Sequence, residues 1–133
     1  LTVFLVSSFL FFGCTPTQQY NTVSLTTSNY STYLTCYVSI SEYGLSVKYY
    51  GSCSSKSSDY IFSNVKIDIT GSATLKCSSI GTESTHAGLL ISVGSNGSGN
   101  ATSFDSASES YDYIYDKSTR VNSVSGSVKV PID

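Results

Sequence analysis

"YIFSNVKIDITGSATLKC", residues 60–77, alternates apolar and polar side chains over most of its length. A period of two belongs to a strand with one face turned to a core. Ile61, Val65, Ile67 and Ile69 share one parity, and Phe62, Asn64, Lys66 and Asp68 the other. Beyond Gly71 and Ser72 the alternation resumes, with Ala73, Leu75 and Cys77 on one face. A Gly-Ser pair between two such runs is a hairpin signal, so the sequence predicts two antiparallel strands joined at residues 71 and 72.

The same pattern extends in both directions. Upstream, "YLTCYVSI" puts Leu34, Cys36, Val38 and Ile40 on one face, "SEYG" reads as a turn ending in Gly44, and Leu45, Val47 and Tyr49 follow together. Val23 and Leu25 mark an earlier strand. Downstream come Leu89, Ile91 and Val93, then Tyr111, Tyr113 and Tyr115, then Val124, Val128, Val130 and Ile132. No stretch of ten residues carries the 3.6-residue period of an amphipathic helix. Eleven Tyr and six Phe, with many Val, Ile and Thr, favour strands. The expectation is an all-β protein: an antiparallel β-sandwich of roughly seven or eight strands, in the immunoglobulin-like size class. "LTCYV" resembles the second strand of an immunoglobulin domain, but the chain has no Trp and "ATLKC" lacks the Tyr two positions before its Cys.

At 133 residues the chain makes one domain. Only 12% of residues are charged and the net charge is -2, against about 25% charged in an ordinary soluble protein. This balance gives no reason to expect nucleic acid as a partner. Cys14, Cys36, Cys53 and Cys77 form no CxxC pair and stand apart from the single histidine, so zinc spacing is missing. Four isolated cysteines in a polar, strand-rich chain read as two disulfides, which places the protein outside a reducing cytosol. Cys36 and Cys77 both lie on the apolar parity of their strands, so they are expected to meet between sheets, leaving Cys14 for Cys53.

The remaining signal is "LTVFLVSSFLFFGC", residues 1–14. It falls short of the ~20 apolar residues that span a membrane as a helix, so no spanning of a membrane is expected. As a secretory leader it has the apolar length but neither an initiator Met nor a basic segment before it. Gly13 before Cys14 is similar to the end of a bacterial lipobox, which would make residues 1–13 a leader and Cys14 a lipid anchor. As a strand it is apolar on both faces: Leu1, Val3, Leu5, Phe9 and Phe11 on one, Phe4, Val6, Leu10 and Phe12 on the other. Such a strand belongs inside a sandwich, either its own or a neighbour's.

An N-terminal apolar strand at residues 1–13, a short polar linker at 14–21 containing "CTPTQQ", and a Ser/Thr-rich β-sandwich at 22–133 together resemble the subunits of donor-strand-complemented filaments, the chaperone-usher pilins and archaeal thread-like fibres. The resemblance implies a homopolymer in which the N-terminal strand of one copy completes the sandwich of the next. It also implies an extracellular or cell-surface location and no catalytic activity. The alternative is a small secreted or lipid-anchored binding module, for carbohydrate, with residues 1–13 as a leader.

The surface chemistry fits a non-enzymatic protein without cofactors or metal. Sequons stand at Asn29, Asn96 and Asn100, the last two inside "GSNGSGNATS", read as a flexible loop that could carry attached glycans. His86, the only histidine, reads as a loop residue. Asp105, Glu109, Asp112 and Asp116 read as a solvated acidic segment, since EF-hand spacing is missing. Tyr111, Tyr113 and Tyr115 read as a packed strand face in preference to a sugar-stacking platform. Lys66, Asn64 and Asp68 share an outward parity, which does not suit a buried isopeptide bond.

Overall fold

The computed structural model describes residues 17–133. The apolar ribbon and Cys14 lie outside the described residues. Seven strands follow in order: β1 (Tyr20–Ser24), β2 (Leu34–Tyr43), β3 (Ser46–Ser55), β4 (Ile61–Cys77), β5 (Gly81–Val93), β6 (Gly99–Ser106) and β7 (Tyr111–Pro131), with one short helix, α1 (Tyr30–Tyr33), before β2. Four strands form one sheet in the order β1-β7-β4-β5, and three form the other in the order β2-β3-β6. Every pairing is antiparallel. The fold is the β-sandwich that the alternation predicts.

The core lies between the sheets and takes one parity from each strand: Leu34 and Ile40 from β2, Val47 and Tyr49 from β3, Leu89, Ile91 and Val93 from β5. Each such side chain contributes about 1.5–3 kcal/mol on full burial. The β2–β3 hairpin turns on Gly44 and Leu45, with Gly44 at φ +59° and Tyr43 paired with Ser46. That positive φ suits glycine in a two-residue connection.

The hairpin expected at Gly71–Ser72 is not there. β4 runs uninterrupted for 17 residues. Gly71 is in the strand because of packing: it faces the core, and a Cβ on it would lie 2.7 Å from Cδ2 of Tyr49 in the opposite sheet. The glycine that reads as a turn instead makes room for the buried Tyr49 ring to approach the backbone closely.

A second correction concerns parity. Phe62, not Ile61, is buried, although Val65, Ile67 and Ile69 are buried as expected. A β-bulge sets Asn64 and Val65 against the single residue Gly126, so the inward face passes from Phe62 to Val65 across three positions. Asn64 has φ +52° and Gly126 φ +99°. Three further register shifts lie along the β4–β7 pairing, with Asn122, Tyr115 and Asp112 the extra residues on β7.

The disulfide assignment is corrected as well. Cys36 and Cys53 sit directly opposite each other on β2 and β3, Cα atoms 4.1 Å apart, and are bonded within one sheet. Cys77 is buried, and among the described residues its thiol has no sulfur partner. Because β4 does not turn at residue 71, it carries Cys77 to the far end of the sandwich, paired with Gly81 and Tyr111. It cannot meet Cys36 there.

Candidate functional site

The two long sides of the sandwich are built differently. Along one, β5 and β6 are laced across the gap between sheets. The Glu83 carboxylate accepts from the backbone N–H of Ser108 at 3.0 Å and from its hydroxyl at 2.9 Å, and Asp105 Oδ2 accepts from the N–H of His86 at 3.0 Å. The Gly94–Ser98 loop closes the end, with a Gly94 N–H to Ser98 O bond of 2.9 Å.

Along the other side, β7 and β2 face each other as free edges. β1 pairs only with residues 127–131 of β7, and the Leu25 N–H bonds Gly126 O at 2.9 Å. From Tyr111 to Ser125 the outer edge of β7 has no strand beside it among the described residues. Among the described residues β2 likewise has β3 on one side only. Among the described residues the hydrogen bonds that tie β7 to the β2–β3 hairpin lie at one end, where the Tyr111 hydroxyl donates to Ser46 O of β3 at 2.6 Å and accepts from the Tyr43 N–H of β2 at 3.4 Å.

Between these edges is a cleft of about 420 Å³ lined by Val38, Ser39, Ile40, Lys117, Ser118 and Thr119. The inward face of β7 can be read from its partners on β4. Ile67 pairs with Val124, Ile69 with Val121, Gly71 with Thr119, Ala73 with Lys117 and Leu75 with Ile114. Their β4 partners are all buried, yet Val124, Val121 and Ile114 are only half-buried, and Thr119 and Lys117 are exposed. An inner face left uncovered beside an unpaired edge is an incomplete sandwich. What it can do chemically is accept a strand, through backbone hydrogen bonds along the edge and apolar contacts beneath.

The other candidate residues are dispersed. His86 lies on β5, exposed, and not in a loop. Tyr111 turns inward while Tyr113 and Tyr115 stay exposed, because the bulges at Asp112 and Tyr115 break the tyrosine parity. Glu109 accepts from the Ser79 hydroxyl at 2.7 Å, Asp112 from Ser78 at 3.4 Å and Asp105 from His86. Among the described residues no three metal-ligating side chains converge. Lys66 and Asn64 are exposed on β4, and Asp68 accepts from Asn122 at 3.4 Å.

The sequons differ in setting. Asn29 is engaged twice, its Oδ1 accepting from the Thr26 N–H at 2.8 Å and its Nδ2 donating to Ser24 O at 2.9 Å. Asn96 is exposed in the β5–β6 loop, its Oδ1 accepting from the Ser98 N–H at 3.0 Å. Asn100 is exposed too, but on β6 and not in that loop.

Two buried groups are shifted by their surroundings. Burial pushes the Cys77 thiol up, reinforced by the nearby Glu83, Glu109 and Asp112 carboxylates. Burial also raises Tyr49, against the lowering effect of its 2.7 Å hydrogen bond to Thr85.

Comparison with protein-family models, curated proteins and solved structures found no match. Among the described residues no helix is long and apolar enough to cross a membrane. The open seam is the feature of this fold best suited to binding. The sequence misses it because an unfilled edge is a property of strand order, which single-strand periodicity does not carry.

Proposed function

We propose that this protein is a structural subunit of an extracellular filament, built head to tail when residues 1–13 of one copy supply a strand to the next. The open β2–β7 seam is the single observation that supports this reading most. It offers an unpaired edge and an uncovered inner face, and the ribbon offers a strand apolar on both faces. Each buried Leu, Val or Phe contributes about 1.5–3 kcal/mol, which is ample to hold two copies together. A contact between an N-terminal strand and a distant seam is heterologous and propagates as a fibre when its rotation does not close. The in-sheet Cys36–Cys53 disulfide suits an oxidising, extracellular setting. Glycans at Asn96 and Asn100 would shield a surface with few charges from lateral association.

Electron microscopy of the purified full-length chain tests the proposal. Fibres with a regular axial repeat are expected. A stable, monodisperse monomer under native conditions would overturn it, and a lipid on Cys14 detected by mass analysis would favour the anchored binding module instead.

A further inference from the structure

We propose that the outer face of the β2-β3-β6 sheet is a saccharide-stacking face, and that its occupant is the glycan attached to Asn100 of the same chain, whose first saccharides lie on the rings of Tyr50 and Tyr37. The proposal rests on the glycan reading of Asn100 and is independent of the filament.

Strand register brings these residues together. Tyr37 pairs with Ser52 on β3, and Ser52 with Asn100 on β6. Cross-strand partners share a face, and Tyr50, two residues from Ser52 along β3, shares it too. The face points away from the core, because the intervening Tyr49, Gly51 and Cys53 are buried. Asn100 therefore stands diagonal to Tyr50, with Cβ atoms about 7–8 Å apart, the reach of an asparagine side chain and its first saccharide. Tyr37 lies about 10 Å from Asn100, two strand spacings away, and its ring centre is 6.4 Å from that of Tyr50.

The chemistry of the face suits a sugar. Tyr37 is 57% exposed. The face's other aromatic pair is already engaged, the Tyr43 and Phe104 rings 5.0 Å apart with the Lys48 ammonium 6.0 Å from the Tyr43 ring centre; Tyr37 and Tyr50 have each other and open solvent. The C–H face of a pyranose carries slight positive charge and meets the negative face of an aromatic ring, while Ser39, Ser52 and Thr102 beside the rings exchange hydrogen bonds with sugar hydroxyls. Three strands over the 8 residues of β6 give a footprint of about 350 Å², under half of the ~800 Å² that each partner brings to a standard protein interface. A second copy is a poor fit to that area and a short oligosaccharide a good one.

The other sequons lack this setting. The Asn29 side chain is held by two hydrogen bonds, and Asn96 precedes β6 in the loop, with its Oδ1 bonded to the Ser98 N–H. Asn100 is exposed on an edge strand, open to modification. Attachment joins Asn100 Nδ2 to the anomeric carbon of an oligosaccharide carried on a lipid pyrophosphate. The anomeric C–O bond breaks, the pyrophosphate leaves, and the amide nitrogen gives up one proton.

The test uses the full-length chain purified from cells that secrete it glycosylated, with glycopeptide mass spectrometry to establish occupancy of Asn100. Asn100→Gln is expected to lower the urea unfolding midpoint of the wild-type chain and to leave that of Tyr50→Ser unchanged, whereas Asn96→Gln has the same effect in both backgrounds. In the unsubstituted glycoprotein, the ring protons of the first Asn100 saccharide are expected to shift upfield in NMR spectra through the Tyr50 ring current, a readout that does not depend on the variants folding. An occupied Asn100 with unshifted sugar protons, or with a glycan effect that Tyr50→Ser does not alter, would overturn the proposal and leave the glycan reading standing. A bare Asn100 would remove both. Retention of the Asn100→Gln chain on immobilised polysaccharide, or its self-association in sedimentation, abolished in either case by Tyr37→Ser and Tyr50→Ser, would also overturn it by assigning the face to an external saccharide or to a second copy.

Discussion

At Gly71 one added methyl group would collide with the Tyr49 ring, 2.7 Å from the site of a Cβ. Gly71→Ala is expected to cost about 1–3 kcal/mol by overpacking, read as a lower midpoint in urea unfolding. Gly126→Ala combines a φ of +99° with a Cβ 2.5 Å from Asn64 O, and backbone strain alone costs about 1–3 kcal/mol. The Tyr49–Thr85 pair predicts an asymmetry. Thr85 also donates to Ala73 O at 3.3 Å, so Tyr49→Phe leaves Thr85 with a partner, whereas Thr85→Val strands a buried tyrosine hydroxyl at about 1–3 kcal/mol. Thr85→Val is therefore the more destabilising of the two in parallel denaturant titrations. For Cys77 the folded thiol titrates above its ordinary value, so the unfolded chain loses that proton first as pH rises. Stability then falls as pH climbs through about 8.5, the ordinary thiol value, and Cys77→Ala flattens that part of the pH profile. A slope unchanged by the substitution would show that the thiol is not the group responsible.

The strands themselves show what periodicity can and cannot carry. β2, β3 and β5 pair without register shifts over most of their length, and their buried residues are those that alternation selects. β4 and β7 defeat the same rule. Bulges at Asn64–Val65, Asn122, Tyr115 and Asp112 change parity inside a strand, and a counted alternation has no means of registering a skipped residue. Gly71 misleads for a related reason: turns and close packing both call for glycine, and only the partner sheet distinguishes them. The cysteines are ambiguous in the same way, since Cys36, Cys53 and Cys77 all sit on inward parity and only the register of β2 against β3 selects the pair. The bond closes a loop across 17 residues of sequence, so its removal in Cys36→Ala/Cys53→Ala is expected to cost about 3 kcal/mol, measured as a difference in unfolding free energy.

Across the whole molecule, the laced β5–β6 side and the open β2–β7 side divide the sandwich into a closed half and an unfinished one. Hydrogen exchange reads this directly. In the unassembled chain the outward-bonding amides of β7 between Tyr111 and Ser125 are expected to exchange quickly while those of β4 and β5 are protected, and assembly into the proposed filament would slow the β7 set selectively. Equal protection of both sets before assembly would contradict an open seam. β1 adds a mechanical meaning to this asymmetry. It pairs only with the last five residues of β7, from Tyr20–Pro131 to Ser24–Ser127, extended by the Ile132 N–H to Gln19 O bond of 2.9 Å. The chain leading into β1 therefore meets β7 at its Pro131 end. In the proposed fibre, tension arriving through β1 would shear that ladder lengthwise, with the disulfide-bonded sheet off the line of pull. Reducing Cys36–Cys53 would soften the domain without changing the force at which the fibre parts.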